Sequence, residues 1–227
     1  MKETSGLDMK TECDRCGTCC AKGGPALHVE DISLIRSGFL SIDDLVTIRV
    51  GEIVLLSDTG KPETTEVELI KIQGRGGDWC CRFLDPGTRT CTVYENRPLA
   101  CRLLECWNPD AVLEISGKKL LDRFDIIAGD DPLLSLLRLH DQQLPLPDMV
   151  EVRVRLSSEE QRESALAELR QQVERDLLFR VLAVDKFALP VERELFYFGR
   201  PLFHLLAPLG VAVTESPEGI TLHCEEQ

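Results

Sequence analysis

The sequence contains no run approaching the ~20 consecutive apolar residues that a membrane-spanning helix needs. Its opening, MKETSGLDMKTE, has no apolar stretch of the kind that directs export. Both absences lead to the expectation of a soluble cytoplasmic protein. Positive charge is scarce: 26 Lys and Arg stand against 39 Asp and Glu, a formal net charge of −13. No Lys/Arg cluster stands out from that background, which argues against a surface that follows nucleic-acid phosphates. There is no Walker-type loop, no HExxH pair and no Ser/His/Asp series. Gly74, Gly76 and Gly77 do not form GxGxxG and no helix follows them at once, so a phosphate cradle is not expected. No internal repeat or low-complexity segment is present.

What the sequence does have is cysteine, at 13, 16, 19, 20, 80, 81, 91, 101, 106 and 224. The stretch CDRCGTCC, residues 13–20, places four of them within eight residues. Disulfides, a metal site and a redox pair are the chemistries open to such a cluster. Mesophile cytosol rarely maintains structural disulfides. A chain of 227 residues also buries roughly 70% of its unfolded surface and folds without staples. Metal binding is therefore the leading expectation. Cys13-Asp-Arg-Cys16-Gly17 is a turn in which both sulfurs can face one centre, with Gly17 free to take a positive φ. Cys19 repeats the three-residue spacing. Three cysteines so spaced, with a fourth from elsewhere, suit an iron–sulfur cluster as well as zinc, and spacing alone does not separate the two.

The second set lies in residues 80–106. Cys81-Arg-Phe-Leu-Asp and Thr90-Cys91-Thr-Val-Tyr favour strands and flank the turn sequence Asp85-Pro86-Gly87-Thr88, which predicts a hairpin bringing Cys81 and Cys91 together. Cys80 and Cys81 point to opposite faces of such a strand, so only one readily serves a given centre. Pro98 reads as the first residue of a helix, with Cys101 at the end of its first turn. Cys106 falls about 140° further round that helix and is not expected to share a centre with Cys101. Arg15, Arg82, Arg97 and Arg102 each lie near a cysteine and could offset thiolate charge, or be ordinary surface arginines.

The combined pattern, Cys-x2-Cys-x2-Cys-Cys, then Cys-x-Phe-Leu, then Cys-x-Val-Tyr-x-x-Arg-Pro-x-x-Cys-Arg, resembles the YkgJ-like cysteine-cluster family, also described as the CxxCxxCC zinc- or iron-chelating domain. Gly23-Gly24-Pro25-Ala26-Leu27-His28 is similar to a variant found there. The likeness covers roughly residues 13–107. It implies that Cys13, Cys16, Cys19, Cys20, Cys81, Cys91 and Cys101 are the motif cysteines, with Tyr94, Arg97, Pro98 and Arg102 also matching. Cys80 and Cys106 lie outside the common core. Flagellin lysine N-methylases are similar in cysteine arrangement and are associated with an iron–sulfur cluster. The rest of this chain does not match them, and it lacks a Cys-x3-Cys-x2-Cys run, so methyl transfer is not carried over. One four-thiolate centre uses four of the seven cysteines. The other three could form a second centre with an open position, for which His28 is the nearest further ligand.

Elsewhere, Glu30 to Ile35 reads as a short helix, and Ser41 with Asp43 and Asp44 as the start of another through Ile48. Glu66–Ile72 reads as a strand. Asp131-Pro132 opens a helix through His140, followed by a linker over 142–147. Val150, Val152, Val154 and Leu156 alternate with charges, which predicts a strand. Ser157 with Glu160 forms a capping box ahead of a long helix. Its apolar stripe is Leu166, Leu169, Val173, Leu177, Val181, Val184 and Ala188, and beyond Leu177 the other faces are apolar enough to suggest burial. Gly199-Arg200-Pro201 is a break, and Val211–Thr214 with Ile220–His223 forms a terminal hairpin. His223 and Cys224 could be extra ligands, though a terminal cysteine is commonly incidental. The expected fold class is α+β: a cysteine-rich metal-binding domain over 1–109 with short helices and a small sheet, then a helix-rich region over 110–227 ending in a β-hairpin, the two packing as one unit or side by side. The expected function is a metal-binding protein holding an iron–sulfur cluster or zinc, iron favoured. The alternatives are a protein-modifying or redox enzyme with an open coordination position, and an interaction module in which zinc is structural and the C-terminal helices bind a protein partner.

Overall fold

The computed structural model describes residue 10 and residues 12–55, 61–76, 79–216 and 219–225. Gly77, residues 217–218 between the expected strands at 211–214 and 220–223, and most of the N-terminal dozen lie outside them. The elements follow in order: α1 (Thr18–Ala21), α2 (Ile32–Arg36), β1 (Leu45–Ile48), β2 (Ile53–Leu55), β3 (Pro62–Thr64), β4 (Leu69–Ile72), β5 (Gly74–Arg75) and β6 (Cys80–Cys81). Next come α3 (Leu99–Leu103), α4 (Asp110–Ile115), α5 (Leu134–Gln143), α6 (Met149–Ser157), α7 (Arg162–Phe187), α8 (Glu194–Phe198), α9 (Leu202–Leu206), β7 (Val211–Ser216) and β8 (Gly219–Cys224). This is a mixed α+β fold with small antiparallel sheets and a terminal hairpin, in which Val211 stands opposite Cys224.

The central pair is β1 with β4, Leu45 opposite Ile72 and Ile48 opposite Leu69. Residues 25–27 and 121 extend it: Leu27 N–H donates to Ile70 O at 2.8 Å, Ile70 N–H to Leu121 O at 2.9 Å, and Ile72 N–H to Pro25 O at 3.0 Å. Leu27, Leu45, Ile70 and Ile72 pack against Leu137, Phe179, Phe196 and Phe198, so one core draws residues from both halves of the chain. A second core joins α6, α7, α9 and the terminal hairpin through Val152, Leu156, Leu169, Val173, Leu206 and Val211.

Several expectations are corrected. Ser41 does cap a short helical turn, accepting from Asp43 N–H at 3.2 Å, but the turn ends at Asp44. Residues 45–48 are then strand β1, buried along its whole length. The run at 150–156 is helix α6. Its alternation also satisfies helical spacing, because Met149, Val152 and Leu156 form one buried face while Val150 and Val154 are exposed. Asp148 fixes the start by accepting from Val150 and Glu151 N–H at 2.8 and 3.1 Å. Ser157 closes α6, its hydroxyl donating to Arg153 O at 2.9 Å, and α7 begins at Arg162. Gln142 and Gln143 belong to α5 and not to a linker.

The stripe of α7 is buried at Leu169 and Val173, but the buried face then passes to Asp176, Phe179, Arg180 and Ala183. Leu178 (56% exposed), Val181 (53%) and Phe187 (40%) face outward, so the C-terminal end of α7 is not apolar on all sides inside the fold. The cause is a buried polar network. His140 Nε2 lies 2.9 Å from Asp176 Oδ1, and Arg180 donates to Asp176, Glu194 and the Gly199 carbonyl.

Candidate metal centre

The N-terminal cysteines are arranged around Gly17. Its φ is +73°, and a β-carbon there would meet the Arg89 carbonyl oxygen at 2.5 Å and Leu84 Cδ1 at 2.9 Å. Only glycine lets the chain pass so close in that conformation. The single turn α1 follows at once and carries Cys19 and Cys20, with their Sγ atoms 4.0 Å apart. Two thiolates on one tetrahedral zinc stand about 3.8 Å apart, taking Zn–S near 2.3 Å, so this spacing suits a shared ion.

Cys81 arrives from β6, where it pairs opposite Gly74 and is buried. The two-residue strand ends there, because Leu84 N–H turns back onto Cys81 O at 2.9 Å. The expected hairpin is thus reduced to a single bridge in which Cys91 stands opposite Leu84 and not Cys81. The turn itself is as read: Asp85 Oδ1 accepts from Gly87 N–H at 2.9 Å and Thr88 N–H at 2.6 Å. Pro98 caps α3 from just outside it, and Cys101 follows on the first turn, with Leu99 N–H held by Asp31 Oδ1 at 2.7 Å.

These pieces bring Cys19, Cys20, Cys81, Cys91 and Cys101 into one electrostatic neighbourhood. Cys20 hydrogen-bonds to both Cys19 and Cys91, which, reinforced by burial, raises its own pKa far above the ordinary thiol range. That shared proton pulls Cys19 and Cys91 down to about 6, helped by the Arg97 guanidinium. Burial pushes Cys81 up and Cys101 to about 12, with the neighbouring thiols adding to both. Cys16 is exposed, and its hydrogen bond to the Thr18 hydroxyl at 3.2 Å lowers its pKa. Cys13 Sγ accepts from Arg15 N–H at 3.4 Å. Among the described residues, no three Cys, His, Asp or Glu side chains already close on a metal-binding point. The five thiols are neighbours on converging elements, not a finished coordination shell.

Other expected residues go elsewhere. Cys80 points away from Cys81, with Sγ 3.5 Å from the Ala21 carbonyl. Cys106 is exposed past the end of α3, so the helical angle from Cys101 does not apply. Cys224 packs against the second core, and His223 stands opposite Ala212 in the terminal hairpin. His28 Nε2 lies 3.3 Å from the Ile115 carbonyl, while the His28 backbone N–H donates to Asp31 Oδ2 at 3.0 Å, which makes it a helix-start residue.

The arginines divide likewise. Arg97 faces the thiols, lies 3.6 Å over the Tyr94 ring and donates to Tyr94 O at 2.8 Å. Arg15 also lies over Tyr94, at 3.8 Å, and pairs with Glu95 at 3.6 Å. Arg82 is taken up by Asp44. The sequence reading missed Lys71 of β4, a mostly buried cation within electrostatic reach of Cys81. Its signal was a lone cation in the apolar run Leu69-Ile-Lys-Ile.

Residues 12–119 match the model of a family described as "CxxCxxCC: Putative zinc- or iron-chelating domain". No curated protein and no solved structure matches the chain.

Proposed function

Taking the match over residues 12–119 to a zinc- or iron-chelating domain as premise, we propose that this is a metal-binding protein whose thiols hold iron as an iron–sulfur cluster. Cys19, Cys20, Cys81, Cys91 and Cys101 form the inner set, and Cys16 and Cys13 join from the exposed turn. The observation that carries this reading is the convergence of five free thiols from α1, β6, the turn before Cys91 and α3. A closed tetrahedral zinc site and an iron–sulfur cluster each take four thiolates, so five converging thiols supply a full set for either; the dense run at 13–20 is what tips the reading toward a cluster.

When bound, such a group supplies electron transfer at a potential set by charge and hydrogen bonds around its sulfurs. The chain's own part is to position and balance it. Gly17 lets α1 approach the Arg89 carbonyl, and Arg97, braced on Tyr94, offsets thiolate charge. A reducing compartment such as the cytoplasm keeps these thiols available. Among the described residues no helix is long and apolar enough to cross a membrane.

The test is anaerobic purification followed by elemental analysis and a visible spectrum. Iron with acid-labile sulfide and a brown colour is expected. Colourless protein with stoichiometric zinc would replace the cluster with a zinc site in the same cysteines. Metal-free protein with paired thiols would overturn metal binding altogether.

A further inference from the structure

The turn that opens the cysteine run has little of its own to hold it. None of the described residues 12–16 is buried, and none belongs to either hydrophobic core. Arg15 takes a left-handed backbone there, φ +55°, which is unfavourable for any residue with a β-carbon. Two cations tie this turn to its surroundings. Arg15 Cζ lies 3.8 Å from the centre of the Tyr94 ring, and Arg97 Cζ lies 3.6 Å from the same centre. Both are at van der Waals contact with the ring, and two guanidiniums so close over one face would overlap, so they stack on opposite faces. Lys10 pairs with Asp14 and stands 5.2 Å from the centre of the Trp107 ring. Tyr94 precedes α3 and Trp107 follows it, so the turn is strapped to both ends of the segment that carries Cys101.

The stack sets two like charges about one ring, and each has its own compensation. Arg97 Nε donates to Tyr94 O at 2.8 Å, and Arg15 stands 3.6 Å from Glu95. The Arg15 side chain remains 54% exposed, so its placement gains little from burial. What the stack fixes is position. Arg15 lies between Cys13 and Cys16, and its N–H donates to Cys13 Sγ at 3.4 Å. Tyr94 lies between Cys91 and Cys101. Stacking therefore joins the turn that carries the outer two thiols to the stretch of chain that delivers two of the inner ones.

We propose that Arg15 is a positioning residue of the metal centre: stacked on Tyr94 opposite Arg97, it closes the exposed turn so that Cys13 and Cys16 stand against the inner thiols. This rests on the chelating reading above. A planar guanidinium suits the role, because it lies flat on a ring in a way that an ammonium does not. Removing an outer partner that orients metal ligands weakens affinity by about 10- to 100-fold, whereas a strap on an exposed turn leaves both cores of the fold intact.

The test uses the full-length chain with Zn²⁺ as probe, in competition with a chromogenic chelator, and follows iodoacetamide labelling of the loaded protein by peptide mass spectrometry. Arg15→Ala is expected to bind Zn²⁺ about ten-fold or more weakly, with faster labelling of Cys13 and Cys16 while Cys81 and Cys101 stay protected. Its metal-stripped form is expected to melt within about 2 °C of wild type. Tyr94→Leu removes both ring faces, and adding Arg15→Ala to it is expected to weaken binding by less than about two-fold further. Four results would overturn the proposal: unchanged affinity in Arg15→Ala, labelling that rises equally at Cys81 and Cys101, a larger fall in the melting temperature of the stripped form, or a fully additive loss in the double variant. A wild-type chain that takes up no Zn²⁺ would overturn the chelating reading and this proposal with it, and the wild-type titration alone shows that.

Discussion

At Gly17 a β-carbon would lie 2.5 Å from the Arg89 carbonyl, and φ is +73°. Gly17→Ala therefore meets both a clash and left-handed strain, the latter alone costing about 1–2 kcal/mol. Because α1 starts at the next residue, the expected outcome is a lower melting temperature together with lower metal content per chain, read by elemental analysis. The thiols themselves are unequal. Cys19 and Cys91 sit at about 6 because Cys20 hydrogen-bonds to them, whereas burial pushes Cys81 up and Cys101 to about 12. In metal-stripped protein, iodoacetamide is expected to label Cys19 and Cys91 ahead of Cys81 and Cys101. Their rates should rise as pH passes upward through about 6, where the reactive thiolate forms, and fall as pH drops below it. Cys81 and Cys101 should label last. Peptide mass spectrometry across pH 5–8 checks the order, and equal rates at all four sites would contradict it.

Among the elements, α6 is the plainest case of one sequence satisfying two periodicities. Val150, Val152, Val154 and Leu156 alternate as a strand would, yet only Val152 and Leu156 are buried, with Met149 completing the helical face. Val152→Ala removes two buried methyl groups and is expected to cost about 2 kcal/mol, while Val154→Ala should change stability by less than about 0.5 kcal/mol. A strand buried on one face would make the two equal. Asp148→Ala removes the cap that holds the Val150 and Glu151 amides and should cost about 1 kcal/mol. Denaturant midpoints of the three variants measure all of these. The element level is also where the cysteine reading was partly legible. Gly17, the Asp85 turn and the start of α3 at Pro98 all follow from local chemistry. The bridge that sets Cys91 opposite Leu84 does not, because nothing local fixes the length of so short a ladder.

On the scale of the whole molecule, the buried network around Asp176 ties α5, α7, α8 and α9 together. Burial alone would raise the Asp176 carboxyl, but His140, the Arg180 guanidinium and Leu202 N–H outweigh it and hold the group at about 2. Its ordinary value is 3.8, so the folded state is stabilised by about 2–3 kcal/mol above pH ~4. That contribution is lost as pH falls through about 2. Asp176→Asn should therefore flatten the acid limb of a stability–pH curve. Asp176→Ala, which leaves Arg180 and His140 buried without their shared partner, should cost about 3–5 kcal/mol. Urea unfolding between pH 2 and 7 distinguishes the two effects.

The sequence by itself pointed to cysteine-based metal binding. The number and spacing of the cysteines, the glycine that starts α1, the terminal hairpin and the α+β class all rest on local geometry and composition, which act over a few residues. Only the tertiary structure decided which thiols meet. It separated Cys81 from Cys80 and set Cys106 and Cys224 apart from the inner group. It also turned the C-terminal half of α7 so that Asp176 and Arg180 are inside and Val181 is outside. The physical reason is the same in each case. Burial of a polar group is decided by whether a partner waits for it, and for Asp176 those partners lie as far along the chain as His140 and Leu202.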